Sequence, residues 1–360
     1  MLRFLINGTV VVTAIGFLSC GAPLSPAASE WVSLASFNSG YWWFPPDTAV
    51  AAAGDTVFFP TGTEYQKDVI RRYRAGVVST VYEVDRERGD VEITDMSISN
   101  GDGWAAGYRS WRINGTYVYR PFLIYYDSMK WEELDIPGEI TGRFSAVAAS
   151  APKSCWLLWD DGTNDPDKNY TLYEYRNGDL AEFEEIKARA IAYDDFSKTI
   201  FAAVLKDDKL QVMVSANGGG EWSTETPAVE LPDPYLQMQP HPVISAYSGE
   251  LYILLGYGGP ESHGGVAVLK RTGPAAAPVY DLLAFFTYMH GLSDIAASHR
   301  GLLGVGYNVS ASFINGSWSY EFLPDKNTFY AVAAGASGFY ALADNGMASN
   351  PRITELLFHP

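Results

Sequence analysis

Seven times along the chain, a triplet of small and apolar residues is followed by a turn and then by a continuous apolar run. The triplets are Ala49-Val50-Ala51, Ser97-Ile98-Ser99, Ala146-Val147-Ala148, Ala190-Ile191-Ala192, Val243-Ile244-Ser245, Asp294-Ile295-Ala296 and Ala331-Val332-Ala333. The runs that follow include Gly103-Trp104-Ala105-Ala106-Gly107, Cys155-Trp156-Leu157-Leu158 and Glu250-Leu251-Tyr252-Ile253-Leu254-Leu255. The triplet centres lie roughly 37 to 53 residues apart, the span of a four-stranded propeller blade. Innermost strands crowd around a narrow axis and need small side chains. Second strands are buried between neighbouring blades and need apolar residues on both faces. A plain sandwich of alternating strands gives no reason for the small triplet always to come first. The expected fold is all-β, a β-propeller of about seven four-stranded blades.

The outer half of each unit repeats as well. An apolar strand runs into a polar turn and then an aromatic-bearing strand, as in Phe122 to Leu134, Leu172 to Leu180 and Ala311 to Trp318. Asn-Gly between two apolar runs predicts a tight hairpin, because both central positions need positive φ. The seventh unit ends after Ile353 to Phe358 and lacks an outermost strand, while Trp31-Val-Ser-Leu34 has the same form as Trp131-Glu-Glu-Leu134. Residues 30 to 37 are therefore expected to complete the last blade and close the ring, which removes an exposed edge. The domain plan is a signal segment over 1–20, a tether over 21–30 and one propeller over 31–360.

Composition agrees with many short strands: 14% aromatic and 19% charged residues, with 34 Gly and 20 Pro in 360 positions. The net charge of -17 argues against a nucleic-acid partner, which would require clustered Lys and Arg. At the N-terminus, Arg3 precedes the short apolar run Val10 to Leu18, and small residues lead into Cys20-Gly21. Gly16-Phe17-Leu18-Ser19-Cys20 resembles the lipobox of bacterial lipoproteins, with Phe17 where Leu is usual. That resemblance implies lipidation at Cys20 and a membrane association through the lipid. Gly21 in the next position implies passage to the outer membrane; a cleaved signal with an incidental Cys20 is the alternative. Cys155 then has no disulfide partner and reads as a small buried hydrophobe.

Val214-Ser215-Ala216-Asn217-Gly218-Gly219-Gly220-Glu221-Trp222 resembles the Asp-box, or BNR repeat, with Asn217 in the Asp position. The resemblance implies a structural role for Ser215, Asn217, Gly219 and Trp222: the Asn ties down the hairpin loop and the Trp packs over it. Tyr126-Asp127 to Trp131 and Asn315-Gly316 to Trp318 are shortened relatives. Gly103 to Gly107 with Ile124-Tyr-Tyr-Asp127 is similar to propeller repeats of bacterial surface lipoproteins and photosystem assembly factors.

The chain is sparing with chemistry. Its five His residues (His241, His263, His290, His299 and His359) show no metal-ligand spacing. The acidic stretch Asp160 to Asp167 could offer Asp161, Asp165 and Asp167 to Ca²⁺, or simply be a solvated loop. Sialidase chemistry would need three arginines converging on a carboxylate; Arg71, Arg72, Arg109, Arg112, Arg120 and Arg143 are the available set. The aromatic cluster Tyr41-Trp42-Trp43-Phe44 either stacks on a ligand or packs under the ring. No catalytic residue and no cofactor is assigned. The reading is a cell-envelope binding or assembly scaffold with a protein or glycan partner, against a carbohydrate-active propeller enzyme as the alternative. Convergence of two carboxylates with an Arg or Tyr at the channel mouth would favour the enzyme.

Overall fold

A computed structural model describes residues 31–38, 49–63, 66–85, 89–138, 140–162, 170–207, 209–216, 218–228, 237–238, 242–258, 265–274, 277–287, 292–307, 309–322, 328–344 and 353–360. Among them every regular element is a strand. The first, β1 (Val32–Asn38), belongs to the last blade. Blade one follows as β2 (Ala51–Ala53), β3 (Thr56–Thr63), β4 (Gln66–Arg74) and β5 (Val77–Glu83). Blade two holds β6 (Asp90–Ser99), β7 (Asp102–Ile113), β8 (Thr116–Tyr126) and β9 (Trp131–Glu133). Blade three holds β10 (Arg143–Ala151), β11 (Ser154–Asp160), β12 (Tyr170–Arg176) and β13 (Asp179–Ala188). Blade four holds β14 (Ala190–Asp194), β15 (Thr199–Lys206), β16 (Lys209–Ser215) and β17 (Ser223–Glu225). A short β18 (Gln237–Met238) pairs the end of the second strand of blade five, whose own strands are β19 (Val243–Tyr247), β20 (Glu250–Gly258), β21 (Gly265–Thr272) and β22 (Val279–Thr287). Blade six holds β23 (Leu292–Ser298), β24 (Gly301–Gly306), β25 (Val309–Ile314) and β26 (Ser317–Phe322). Blade seven holds β27 (Thr328–Ala334), β28 (Phe339–Asp344) and β29 (Ile353–His359), with β1 as its outer strand.

Each blade is an antiparallel meander, and each innermost strand touches the next around the ring, β27 meeting β2 to close it. The seven-bladed propeller expected from the repeat is what the chain forms. Closure occurs where expected: β1 pairs antiparallel with β29, Val32 opposite Phe358 and Asn38 opposite Ile353. Trp31 is buried there, 5.1 Å from the Phe329 ring and 5.1 Å from His359, and its indole N–H donates to Ser310 Oγ at 3.0 Å.

The core divides into seven apolar clusters, one at each interface between neighbouring blades. Alternate residues of a second strand serve opposite interfaces, which is why these strands read as unbroken apolar runs. In β3, Val57 and Phe59 face blade seven while Phe58 faces blade two; in β15, Ile200 and Ala202 face blade three while Phe201 and Ala203 face blade five. The Asn-Gly turns behave as their chemistry requires: φ is positive at both residues of Asn114-Gly115, Asn177-Gly178 and Asn315-Gly316.

One register differs from the sequence reading. A β-bulge precedes Asp95 in β6, and bulges stand at the same place before Ala146, Asp294 and Ala331. The triplet of blade two equivalent to Asp294-Ile295-Ala296 is thus Asp95-Met96-Ser97, two residues ahead of the Ser97-Ile98-Ser99 expected. A two-residue shift preserves the alternation of faces, so periodicity alone does not detect it.

Candidate functional site

The seven innermost strands enclose a channel of about 1180 Å³, walled mostly by Ala, Ser, Val and Ile of the triplets. The ring has two unlike faces. Turns from first to second and from third to fourth strand emerge on one, the turn face. Second-to-third connections and all blade-to-blade connections emerge on the other, the loop face. The channel lining continues to the loop face at Tyr170, Gly256, Tyr307 and Asp344.

Among the described residues three carboxylates line the channel: Asp95, Asp294 and Asp344. Two are tied to the backbone in the same way. Asp95 Oδ1 accepts from its neighbour Met96 N at 2.8 Å, and Oδ2 accepts across the interface from Val147 N of blade three at 2.7 Å. Asp294 repeats this at the junction of blades six and seven, accepting from Ile295 N at 2.8 Å and Val332 N at 2.7 Å. Hydroxyls do similar work: Ala149 N donates to Ser97 Oγ at 3.0 Å, and Ala297 N to Ser245 Oγ at 3.1 Å. Each innermost strand is a sheet edge facing the channel, and these side chains satisfy its amides while fastening one blade to the next. Burial pushes the Asp294 carboxyl up to about 7, against the pull of its two amide donors. Asp344 accepts from the Tyr330 hydroxyl. The sequence reading missed this device in blade two; Thr94-Asp95 beside Ser293-Asp294 was the available signal.

The arginines are elsewhere. Among the described residues no Arg, Lys, His or Glu lines the channel. Arg71 donates to Thr61 Oγ1 at 3.1 Å, Arg72 lies beside Ser79 Oγ, and Arg112 is exposed. Arg109 is buried, paired with Glu133 at 2.6 Å and set 4.9 Å over the Phe122 ring. Arg120 lies over Trp111 at 5.6 Å. Arg143 pairs with Asp160 at 3.2 Å and sits 5.7 and 5.4 Å from the Tyr108 and Tyr119 rings. Three of them do not meet at one carboxylate, so the convergence that sialidase chemistry requires is not built from this set. Arg120 with Trp111, and Arg143 with Tyr108 and Tyr119, instead form an arginine-aromatic surface on the loop face of blades two and three; a cleft of about 200 Å³ lies on its blade-two side, lined by Trp111, Arg120 and the buried Arg109. The long β7–β8 hairpin carries this surface outward.

Of the residues expected to form an Asp-box, Ser215 is buried at the end of β16. Trp222 packs against Trp156 and Phe183 of blade three at 5.8 and 6.2 Å. Gly219 has φ of +96°, and a Cβ there would stand 2.3 Å from the Trp156 ring, so the loop needs glycine at this point. Asn217 lies outside the described residues. In the hairpin after β8, Asp127 Oδ1 accepts from Met129 N and Lys130 N at 3.0 and 2.9 Å, and Trp131 stacks on Tyr126 at 5.0 Å.

Asp161 is exposed at the head of the acidic loop, while Asp165 and Asp167 lie outside the described residues, as do Cys20, Tyr41 to Phe44, His241, His263 and His290. Among the described residues no group of three His, Cys, Asp or Glu is placed to hold a metal ion. His299 is exposed on the turn face; Cys155 is fully buried in β11, and burial drives its thiol pKa well up, so it serves as core.

No family model matches the chain, and no curated protein does. Solved structures do. YCF48 bound to D1 peptide superposes with a TM-score of 0.56 at 12% identity, covering 93% of this chain and 97% of that one. A putative oxidoreductase (glucose dehydrogenase) from Thermus thermophilus gives 0.45 at 13%, covering 91% and 99%, and the soluble aldose sugar dehydrogenase from Escherichia coli gives 0.43 at 11%, covering 91% and 98%. The likeness is one of fold.

Proposed function

We propose that this chain is a non-catalytic binding or assembly scaffold of the cell envelope, lipid-anchored at Cys20 and engaging a protein partner with its loop face. The observation that carries the reading is the state of the channel acids. Asp95 and Asp294 each spend both oxygens on backbone amides and Asp344 accepts from the Tyr330 hydroxyl, so each carboxylate described in the channel is engaged by the ring itself. Side chains suited to recognition stand on the loop face instead, where the β7–β8 hairpin offers Tyr117, Trp111 and Arg120. Rigid rings that display loops in this way are common binding platforms. The fold likeness to YCF48, a protein solved with a bound peptide, supports a protein partner. The lipobox-like Gly16 to Cys20 supports export and anchoring, and Gly21 supports the outer membrane.

Photo-crosslinking in intact cells tests this. A crosslinker at Tyr117 should capture one defined protein, whereas one at Leu282 on the outer strand of blade five should not. Glycan cleavage by the purified protein, lost on Asp95→Asn without loss of folding, would overturn the scaffold reading in favour of the enzyme.

A further inference from the structure

The anchor proposed at Cys20 would be joined to the ring by residues 21–30, so the place where the ring begins sets how the ring meets a membrane. Strand β29 follows a second-to-third connection and runs from loop face to turn face. Because β1 is antiparallel to it, with Val32 opposite Phe358, the chain enters the fold at the turn face. Ten residues reach at most about 35 Å when fully extended, short enough that the entry face lies near the lipid.

That same face carries exposed apolar side chains on five blades. Val77, Met129 and Val279 stand at turns between third and fourth strands, Phe196 and Tyr247 at turns between first and second, and Val32 at the start of β1. Met129 and Phe196 are the most open of these, at 81% and 80%. Apolar side chains held at hairpin tips that share one end of a ring can enter the headgroup region together without any change of fold. Of the cations on this face, Lys130 is engaged by Glu132, Lys198 by Asp195 and Arg176 by Glu174, while Arg74, Lys153 and Arg300 are exposed, each at a turn of a different blade.

We infer that the turn face is a membrane-docking surface, seated on the bilayer by Val77, Met129, Phe196, Tyr247 and Val279, so that the loop face and its arginine-aromatic surface point away from the lipid. The inference rests on the lipid-anchor reading and adds the orientation. The apolar tips make the interaction one of insertion, expected on neutral phosphatidylcholine without anionic lipid.

The test uses the full chain purified from membranes and reconstituted into phosphatidylcholine vesicles, with an environment-sensitive fluorophore on Phe196→Cys in one sample and on Tyr117→Cys in another. Buried Cys155 should resist labelling. The expected result is emission shifted to the blue and quenched by spin-labelled lipid at position 196, with emission at 117 unchanged from that in water. A position-196 probe that stays water-like on vesicles, or a blue shift at 117, overturns the inference. So does a blue shift at 196 that is already present without vesicles and depends on protein concentration, since a second copy of the chain then covers the face. The anchor is read separately, by palmitate incorporation that Cys20→Ala abolishes. If lipid is incorporated and the probe at 196 remains in water, the orientation alone has failed; if none is incorporated, the anchor reading has failed whatever the probes report.

Discussion

Asp294 shows what a single side chain does in this ring. It is buried between the sixth and seventh blades, where its carboxylate receives Ile295 N and Val332 N, yet burial holds its pKa near 7 instead of the ordinary 3.8. A carboxyl whose folded pKa is raised binds its proton more tightly in the folded chain than in the unfolded one. Its contribution is therefore complete below about pH 4 and is lost as the pH climbs toward 7. Asp294→Asn removes that titration. Wild-type stability measured against the Asn variant should decline as the pH rises from about 4 to about 7, by something on the order of 4 kcal/mol. Parallel denaturant titrations across that range check it, and two curves that stay parallel would remove the ionisation from the account. The role of this residue was not legible in the chain. Asp294 stood at the head of a triplet, but its second amide donor lies 38 residues away in the next blade, and the matching pair of Asp95 and Val147 is 52 apart. Periodicity reports which face a residue occupies and says nothing of the partner across an interface.

At the level of the strand, much more could be read. Small triplets, apolar second strands and Asn-Gly hairpins each follow from a local requirement, and each appears where the sequence puts it. What failed was register in β6, where the triplet equivalent to Asp294-Ile295-Ala296 is Asp95-Met96-Ser97, two residues ahead of the one expected, on the same alternation of faces. The closing strand was legible because Trp31 repeats the place of Trp131, each standing at the outer strand of its blade. Trp31 fills a buried site against Phe329 and reaches Ser310 in the sixth blade, so it pins β1 to two blades at once. Trp31→Ala should cost about 3–5 kcal/mol, the usual range for losing a buried Trp. Deletion of residues 30–40 should lower the unfolding temperature further, because it also frees the edge of β29 along its whole length. Thermal unfolding followed by circular dichroism checks both, and a deletion no worse than the point change would mean that the strand pairing contributes little.

For the whole molecule, closure is the property that the parts add up to. Seven interfaces of one kind meet in a ring, and none is covalent at the point where β1 returns to β29. The functional reading was harder to reach from sequence, since Arg109 and Arg120 of blade two and Arg143 of blade three find their aromatic partners only in space. The same topology makes a prediction about connectivity. Val32 lies opposite Phe358, so the two ends of the propeller meet at the turn face as the third and fourth strands of any other blade do. A short glycine-containing linker from Pro360 to Trp31 would turn the clasp into an ordinary hairpin. New termini can then be opened after the exposed Gly138, in the connection between blades two and three. This permuted chain should fold with the native circular dichroism spectrum, because every blade interface is retained and only the site of the gap has moved. Its closing step is now between β9 and β10, which are not paired as strands, while the former clasp is bound by a short loop whose closure entropy is small. Unfolding should therefore remain a single transition at or above the original temperature. A permuted chain that aggregates, or that melts in two steps, would mean that the order of assembly around the ring depends on where the chain begins, and that the seven interfaces are not interchangeable.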